Sequence, residues 1–192
     1  MAAPVYIILL HYPIVDKNGK TVTTSVTNMD LHDISRTART YCVKGFFVVT
    51  PVLDQHDLIG RILSHWARPG MRDIHPDRVE ALSLVRLIRD FDSALAEIEK
   101  ETGERPEVVM PDARPLDDAV SYEDYRKELL DPDRSRPAVI VFGTGWGIDP
   151  SFFGKMDRIL KPIYGPEGRK GYNHLSVRSA AAIVLDRLLR KI

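Results

Sequence analysis

Three glycines that follow a predicted strand are the residues whose spacing most clearly indicates chemistry. Gly143, Gly145 and Gly147 stand in the segment VIVFGTGWGIDPSFF, directly after the apolar run Ala138–Gly143. A glycine has no Cβ, so a backbone that carries several of them can approach a bound nucleotide closely. The segment therefore predicts a nucleotide-binding turn, and the rest of the sequence must indicate which nucleotide binds.

Two common nucleotide-binding signatures do not fit this turn. A dinucleotide-binding unit requires G-x-G-x-x-G at its first strand–helix turn, whereas this G-x-G-x-G follows one of the last predicted strands. A P-loop requires a G-K-[ST] sequence, which does not follow. The sequence also contains no H-E-x-x-H or G-x-S-x-G motif, and its six histidines show no ligand spacing. We therefore predict no metal site.

The elements that must position the turn alternate along the chain. Segments of helical periodicity separate apolar runs of strand length, several of which are continuous, as in strands that are buried on both faces. The predicted strands are Val5–Leu10, Gly45–Pro51, Leu82–Ile88, Glu107–Pro111, Ala138–Gly143 and Arg158–Gly165. This alternation predicts an α/β fold with a mostly parallel sheet and helices on both faces. We expect residues 1–192 to form one domain.

Several short signals indicate where helices and turns begin and end. Asp30 is expected to cap the N-terminus of the first helix, and Ser121 that of a later one. Gly103 is expected at a helix C-terminus, and Asn18-Gly19 at the tip of a hairpin. The helix after Pro51 is expected to bury one face, comprising Leu58, Ile62 and Trp66.

Composition and charge bound the class of protein. The hydrophobic fraction of 44% and the charged fraction of 28% are ordinary for a globular chain. Cys42 is the only cysteine, and neither a signal peptide nor a membrane span is visible, so we expect a cytoplasmic protein without a membrane partner. Residues 135–192 contain ten Lys/Arg against four Asp/Glu. They could present a basic patch to a phosphate backbone or simply complement the final helix.

Three segments together resemble the SPOUT superfamily, the knotted methyltransferases that use S-adenosylmethionine on RNA. DISRTARTYCVKGFFVVTP resembles the first motif of that group, and VIVFGTGWGIDP resembles the second. ILKPIYG followed by NHLSVRSAAAIVL resembles the third, and the order and spacing hold across nearly the whole chain. The closest resemblance is to the bacterial family of S-adenosylmethionine-dependent RNA methyltransferases. That family sometimes occurs beside, or fused to, the tRNA enzyme that methylates position 1 of guanosine.

The resemblance implies a C-terminal trefoil knot and S-adenosyl-L-methionine as the ligand of the glycine turn. In such folds, loops of the knot present backbone groups to the cofactor in an apolar slot. The implied cofactor-binding residues are Pro111, Asp112, Ala113, Phe142, Gly143, Thr144, Gly145, Trp146, Gly147, Lys161, Ile163, Tyr164, Gly165, His174, Leu175 and Ser176. Trp146 replaces a more usual polar residue, and it could either stack on a nucleobase or pack against the knot.

The resemblance also implies RNA as the methyl acceptor, tRNA being the expected class. Arg36 matches the first-motif arginine, whose role would be to orient a phosphate or stabilise an oxyanion. From the residues alone, an ion pair with Asp33 is the alternative. Asp30 could act as a general base, or serve only as a helix cap. A homodimer is implied, with each site completed by the partner, and another tRNA methyltransferase is a further expected partner.

Five cations are expected to contact RNA: Lys17, Lys20, Arg39, Arg169 and Lys170. The third motif has His174 and Ser176 where ribose methyltransferases have serine and asparagine, so ribose oxygen and base nitrogen both remain open as acceptors. One alternative hypothesis is a non-catalytic module that binds the cofactor or RNA. Another is an enzyme of a different fold that binds NAD or ATP.

Overall fold

A computed structural model describes residues 3–166 and 172–191 of the chain. Its strands are β1 (Val5–Leu10), β2 (Ile14–Val15), β3 (Thr21–Val22), β4 (Gly45–Val49), β5 (Val85–Ile88), β6 (Glu107–Pro111), β7 (Ala138–Gly143) and β8 (Arg158–Leu160). Its α-helices are α1 (Asn28–Thr40), α2 (Leu53–Trp66), α3 (Met71–Ile74), α4 (Pro76–Leu82), α5 (Phe91–Thr102), α6 (Tyr122–Leu129) and α7 (Val177–Leu189). A 3₁₀ helix covers Pro150–Lys155.

Six of the strands form one sheet in the order β5-β4-β1-β7-β6-β8, and all neighbouring pairs are parallel. The predicted parallel α/β fold is therefore confirmed. The chain first builds the sheet from β1 towards β5, then crosses to β6 and returns to pair β7 with β1. In open parallel sheets, ligands bind outside the carboxyl ends of the strands where the winding direction changes, which here is the region of β1 and β7.

Side chains of the central strands alternate between two apolar layers. In β1, Val5, Ile7 and Leu9 pack with α1, α2, α4, α6 and α7, whereas Tyr6, Ile8 and Leu10 pack with α5 and the 3₁₀ helix. This alternation follows from the two-residue period of a strand. Both faces of β1 are therefore covered, which explains why its sequence is apolar without interruption. The trefoil knot remains a prediction, which the strand order does not test.

Three predicted strands have different bounds in the structure. The fourth strand of the chain ends at Val49, before Pro51, and β8 ends at Leu160, before Pro162, which has no N–H to continue a ladder. Leu82 was expected to start a strand, but it is the last residue of α4, a short helix that the sequence analysis did not predict. Pro76 at the first position of α4 was the available signal.

Two helix predictions are corrected and two are confirmed. Asp30 is not the N-cap of α1, because the side chain of Thr27 occupies that role and accepts from the Asp30 N–H. On α2, the predicted Ile62 and Trp66 do pack against the core, but Leu58 is exposed and Ile59 is buried in its place. Ser121 caps α6 and Gly103 ends α5, as predicted.

The described residues, 3–166 and 172–191, include no helix that is long and apolar enough to cross a membrane.

Candidate cofactor cavity and acceptor site

The loops that follow β6, β7 and β8 meet the start of α7 around one cavity of about 810 Å³, called here the main cavity. Its volume lies within the range of about 300–1,000 Å³ that is usual for small-molecule sites. The predicted cofactor-binding residues that line it are Pro111, Asp112, Ala113, Phe142, Gly143, Thr144, Gly145, Trp146, Gly147, Ile163, His174, Leu175 and Ser176. The structure therefore brings together residues from four separate segments of the sequence.

The glycine turn after β7 needs its glycines for two different reasons. Gly145 and Gly147 have φ values of +55° and +105°, in the left-handed region that other residues rarely adopt. Gly143 has no such dihedral, but a Cβ there would lie 2.6 Å from Ile148 Cγ1. Gly143 thus makes room for a buried side chain of its own loop, in addition to lining the main cavity.

The hairpin of β2 and β3 holds the glycine turn in place. Val15 N–H donates to the Gly147 carbonyl at 3.0 Å, and Trp146 N–H donates to the Val15 carbonyl at 3.2 Å. Asp149 N–H donates to the Pro13 carbonyl at 3.2 Å. These bonds fix the backbone on both sides of Gly147 while leaving the Trp146 side chain outside the ladder. The predicted hairpin is confirmed, with Gly19 at its tip at φ +77°.

A buried histidine, His11, is linked to the glycine turn through hydrogen-bonded threonines. His11 is fully buried, and its Nδ1 lies 2.9 Å from Thr24 Oγ1, which in turn hydrogen-bonds Thr144 in the glycine turn. Burial lowers the pKa of His11 to about 4, an effect that the negative charge of Asp30 partly opposes. The imidazole is therefore neutral at neutral pH. Through its hydrogen bond to Thr24 it orients Thr24 and Thr144, which both line the main cavity.

Asp30 lies at the edge of the main cavity and is held by two donors. Thr27 Oγ1 donates to Asp30 Oδ2 at 2.6 Å, and Arg178 Nη1 donates to Oδ1 at 3.1 Å. Arg178 also pairs with Asp33, at 3.4 Å from Nε to Oδ2. Arg178 was not among the predicted site residues, although its position carried a signal: a cation in the first turn of a helix opposes the helix dipole and calls for an acidic partner.

A second ion pair forms part of the cavity wall after β6. Arg114 donates through Nε and Nη2 to the two carboxylate oxygens of Asp112, at 2.9 and 2.7 Å. The Asp112 carboxylate also accepts from the Arg114 N–H at 2.8 Å, and its side chain is only 8% exposed. The guanidinium packs over the Phe153 ring at 4.9 Å. Arg114, which the sequence analysis did not single out, is the only lysine or arginine among the described lining residues of the main cavity.

Three predicted cofactor residues lie away from the main cavity. Lys161 and Tyr164 line a second cavity of about 620 Å³, and Gly165 lines neither. Tyr122 borders both cavities and separates them. Burial raises the pKa of Tyr122 to about 12, and Arg187, which lies 4.9 Å over its ring, acts in the opposite direction. Cofactor contacts by these three residues are thus not supported by their position.

The last predicted cofactor residues lie on the segment that leads into α7. Ser176 caps that helix by accepting from the Ser179 N–H at 3.2 Å. His174 lies with its ring centroid 6.1 Å from that of Trp146, which is 63% exposed at the cavity. The Trp146 ring is therefore largely open to solvent, and both interpretations of it, stacking on a nucleobase and packing against the knot, stay predictions.

Unlike the buried Asp30, Arg36 lies on the surface, as do the predicted RNA-contacting residues that fall within the described ranges. Arg36 is exposed on α1 and does not border the main cavity, and its alternative partner Asp33 is paired with Arg178 instead. Arg39 is bound to Glu80, while Lys17 and Lys20 are exposed at the hairpin tip. Arg169 and Lys170 lie outside the described residues.

Comparison with known proteins defines first a fold and then a family. A structure described as the Aquifex aeolicus TrmH/SpoU tRNA modifying enzyme matches with a TM-score of 0.52 at 13% identity, over 98% of this chain and 74% of that one. The chain therefore shares the fold of this structure. Residues 4–190 match the model of a family described as SAM-dependent RNA methyltransferase. The chain belongs to this family, which confirms the resemblance, and S-adenosylmethionine is its cofactor.

Two relatives place the chain further. An uncharacterized protein of Aquifex aeolicus is 46% identical over 187 residues, which cover 97% of this chain and 89% of the relative. A protein of Oleidesulfovibrio alaskensis named tRNA (guanine-N(1)-)-methyltransferase is 42% identical over 185 residues. This match covers 96% of the present chain but only 41% of that relative. The chain therefore spans about two-fifths of the length of this relative.

Gly143→Ala should destabilise the protein through the glycine turn. The new Cβ would lie 2.6 Å from Ile148 Cγ1, and such overpacking typically costs about 1–3 kcal/mol. In the double variant Gly143→Ala/Ile148→Ala the clashing carbon is absent, so the two changes should cost less together than the sum of the single variants. Urea unfolding of the four proteins measures this coupling; strictly additive costs would contradict the packing role of Gly143.

The stability of the protein should fall as the pH decreases from about 6.5 to about 4. The unfolded chain protonates His11 at its ordinary pKa, whereas the folded chain resists protonation until about pH 4, so acid favours unfolding across this window. We expect His11 to contribute about 2 kcal/mol to the difference in unfolding free energy between about pH 7.5 and about pH 5. The variant His11→Gln should lack that contribution, and the exposed His65→Gln should retain it. An equal pH dependence in all three proteins would refute the assignment.

Proposed function

We propose that this chain transfers the methyl group of S-adenosylmethionine to a nucleotide of tRNA at the main cavity. The observation that carries the proposal is that the second and third motif segments converge on that cavity with the loop after β6, and that Asp30 lies at its edge, just before the first motif. The RNA class is supported by the family and by the name of the Oleidesulfovibrio relative. This chain spans only part of that relative, so we do not propose that the two proteins modify the same nucleotide.

The chemistry of the cavity fits the cofactor. Its wall is apolar near Met110, Phe142 and Val184, where an adenine ring would be shielded from water. The carboxylates of Asp30 and Asp112 suit the cationic groups of the ligand, and the guanidinium of Arg114 suits its carboxylate. The cofactor would supply an electrophilic methyl group, and the protein has to position the acceptor in line with it.

Asp30 is our proposed group for the acceptor proton. It is 7% exposed in its side chain and borders the cavity, and its two hydrogen bonds fix its orientation. A ribose hydroxyl needs such help, because it is a poor nucleophile while it is protonated. A proton that Asp30 accepts must then pass on to solvent or to a second group, so that the carboxylate is free for the next reaction. Asp30 could accept a proton in the same way if the methyl acceptor is a base nitrogen.

Arg36 is our proposed group for a phosphate or a developing negative charge, acting in the site of a partner subunit. Its exposed position on α1, outside the main cavity of its own chain, supports this arrangement. In a twofold-symmetric dimer, each α1 could then complete the other site. We further propose a cytoplasmic location and one domain over residues 1–192, since a single sheet takes strands from both halves of the chain. Association with a tRNA guanine-N1 methyltransferase is supported by the longer relative.

Asp30→Asn should lower the rate of methyl transfer to tRNA by about 100-fold or more, as expected for loss of a general base. Asp33→Asn is the matched control. Asp33 lies on α1 like Asp30 and also pairs with Arg178, but it does not border the cavity. Transfer of tritiated methyl groups to bulk tRNA measures the rate. Calorimetric titration with S-adenosylmethionine, and with NAD and ATP as controls, measures ligand binding.

The outcomes of this experiment separate the hypotheses. Cofactor binding without methyl transfer to any RNA would support the non-catalytic module. Binding of NAD or ATP instead of the cofactor would favour a different nucleotide-binding enzyme. Equal loss of activity in both aspartate variants would indicate that only the ion pair with Arg178 matters, and not the position of Asp30.

Mixing two inactive variants should restore activity if Arg36 acts across a dimer. In a heterodimer of Arg36→Ala and Asp30→Asn subunits, one site has Asp30 of the first chain and Arg36 of the second, and is therefore intact. Random reassociation should give about one quarter of the wild-type activity, because half of the dimers are mixed and each has one intact site. Each variant taken alone through the same dissociation and reassociation is the control. No recovery in a mixture shown to exchange subunits would place both residues in the site of one chain.

A further inference from the structure

Three aromatic side chains form an exposed row at the main cavity. The ring centroids of Trp146 and His174 are 6.1 Å apart, and those of His174 and Tyr172 are 5.6 Å apart. Both pairs meet edge to face, at interplanar angles of 70° and 72°, so each ring keeps at least one face that its neighbour does not cover. We call these three residues the aromatic row.

The row is exposed to an extent that is unusual for large rings. Trp146 is 63% exposed and Tyr172 is 84% exposed, and no strand or helix of the described residues covers them. Apolar surface left in water forgoes the stabilisation that burial would give. An exposed cluster of this kind at the border of a ligand cavity therefore indicates a surface that binds a partner.

The backbone under the row is fixed although the rings are free. Trp146 N–H donates to the Val15 carbonyl at 3.2 Å, between two glycines whose dihedrals define the turn. Asn173 Nδ2 donates to the Ala113 carbonyl at 3.1 Å, which ties the segment between Tyr172 and His174 to the loop after β6. A ring on an ordered backbone loses little conformational entropy when it binds, so the row is preorganised.

The position of the row selects nucleobases as its partner. Trp146 and His174 line the same cavity that we assign to the cofactor, so whatever stacks on them lies next to the transferred methyl group. Aromatic side chains in RNA-binding proteins stack on unpaired bases, which offer a free π face. Arg114 adds a cation at the same cavity. Its side chain is 40% exposed, and its Nη1 donates no hydrogen bond to any described residue.

We propose that Trp146, His174 and Tyr172 form a stacking platform for unpaired bases, so that the enzyme accepts a nucleotide in a loop or single strand and not one inside a duplex. The proposal rests on the proposed RNA methyltransferase function of the main cavity. Within a paired stem, neighbouring base pairs already cover both faces of each base, and the row would have no surface to bind. The platform would therefore select unpaired nucleotides over paired ones as methyl acceptors.

The chain has two tryptophans, which permits a site-specific test. In the variant Trp66→Phe, Trp146 is the sole source of tryptophan fluorescence. An RNA stem–loop should quench this emission on titration, whereas the blunt duplex of the same stem should not. If Trp66→Phe fails to fold, the comparison of wild type with Trp146→Phe isolates the same signal by difference. Equal quenching by the two RNAs, or none by either, would overturn the proposal.

Substitution within the row tests its energetic role. Trp146→Ala and Tyr172→Ala should each weaken stem–loop binding by about tenfold or more, while Trp146→Phe should retain most of the affinity. Ile74→Ala, an exposed apolar residue on α3, is the control and should bind like wild type. Weakening by Trp146→Phe as large as that by Trp146→Ala would contradict stacking.

Methyl transfer distinguishes failure of the platform from failure of the function. The alanine variants should raise the KM for tRNA. In Tyr172→Ala, whose side chain does not line the main cavity, the calorimetric affinity for S-adenosylmethionine should stay unchanged. If the wild type methylates tRNA and the variants have an unchanged KM, the platform is refuted and the function stands. If no RNA is methylated while the stem–loop still quenches Trp146, the proposed function fails and the stacking surface stands.

Discussion

The glycine turn after β7 depends on main-chain hydrogen bonds to a segment that is remote in sequence. Gly145 and Gly147 give the turn its shape, but the same freedom would allow many other shapes. The bonds to Pro13 and Val15 select one of them, and the buried His11 aligns the threonines that link the two segments. The cavity wall is therefore made by pairing the first quarter of the chain with the last third.

Most of the sheet could be predicted because burial leaves a strong pattern in the sequence. The strands at Val5–Leu10, Glu107–Pro111 and Ala138–Gly143 have the predicted bounds, since uninterrupted apolar runs mark strands that are covered on both faces. Local signals were less decisive where two residues could do the same task. Thr27 and Asp30 are both good N-caps, and the choice between them is explained by the pairing of Asp30 with Arg178 on a distant helix.

The candidate site was predictable to the extent that it follows the order of the motifs. The residues after β6 and β7 line the main cavity as the resemblance implied, although their individual roles remain proposals. Lys161 and Tyr164 line the second cavity instead, and Tyr122 is the one described residue that borders both cavities. Tyr122 belongs to none of the three motif segments, so the sequence does not indicate that it borders the two cavities. The same holds for Arg114, whose partner Asp112 becomes significant only beside an open cavity.

The wall that Tyr122 forms has a consequence for ligand design. One nearly buried ring separates spaces of about 810 and 620 Å³, and no other described residue borders both of them. Replacing it with a small side chain would join the two spaces and admit a donor analogue with a bulky extension, which the native protein excludes by shape. Such a pair of enlarged enzyme and enlarged donor would tag the RNA substrates of this one enzyme selectively among the many methyltransferases of a cell.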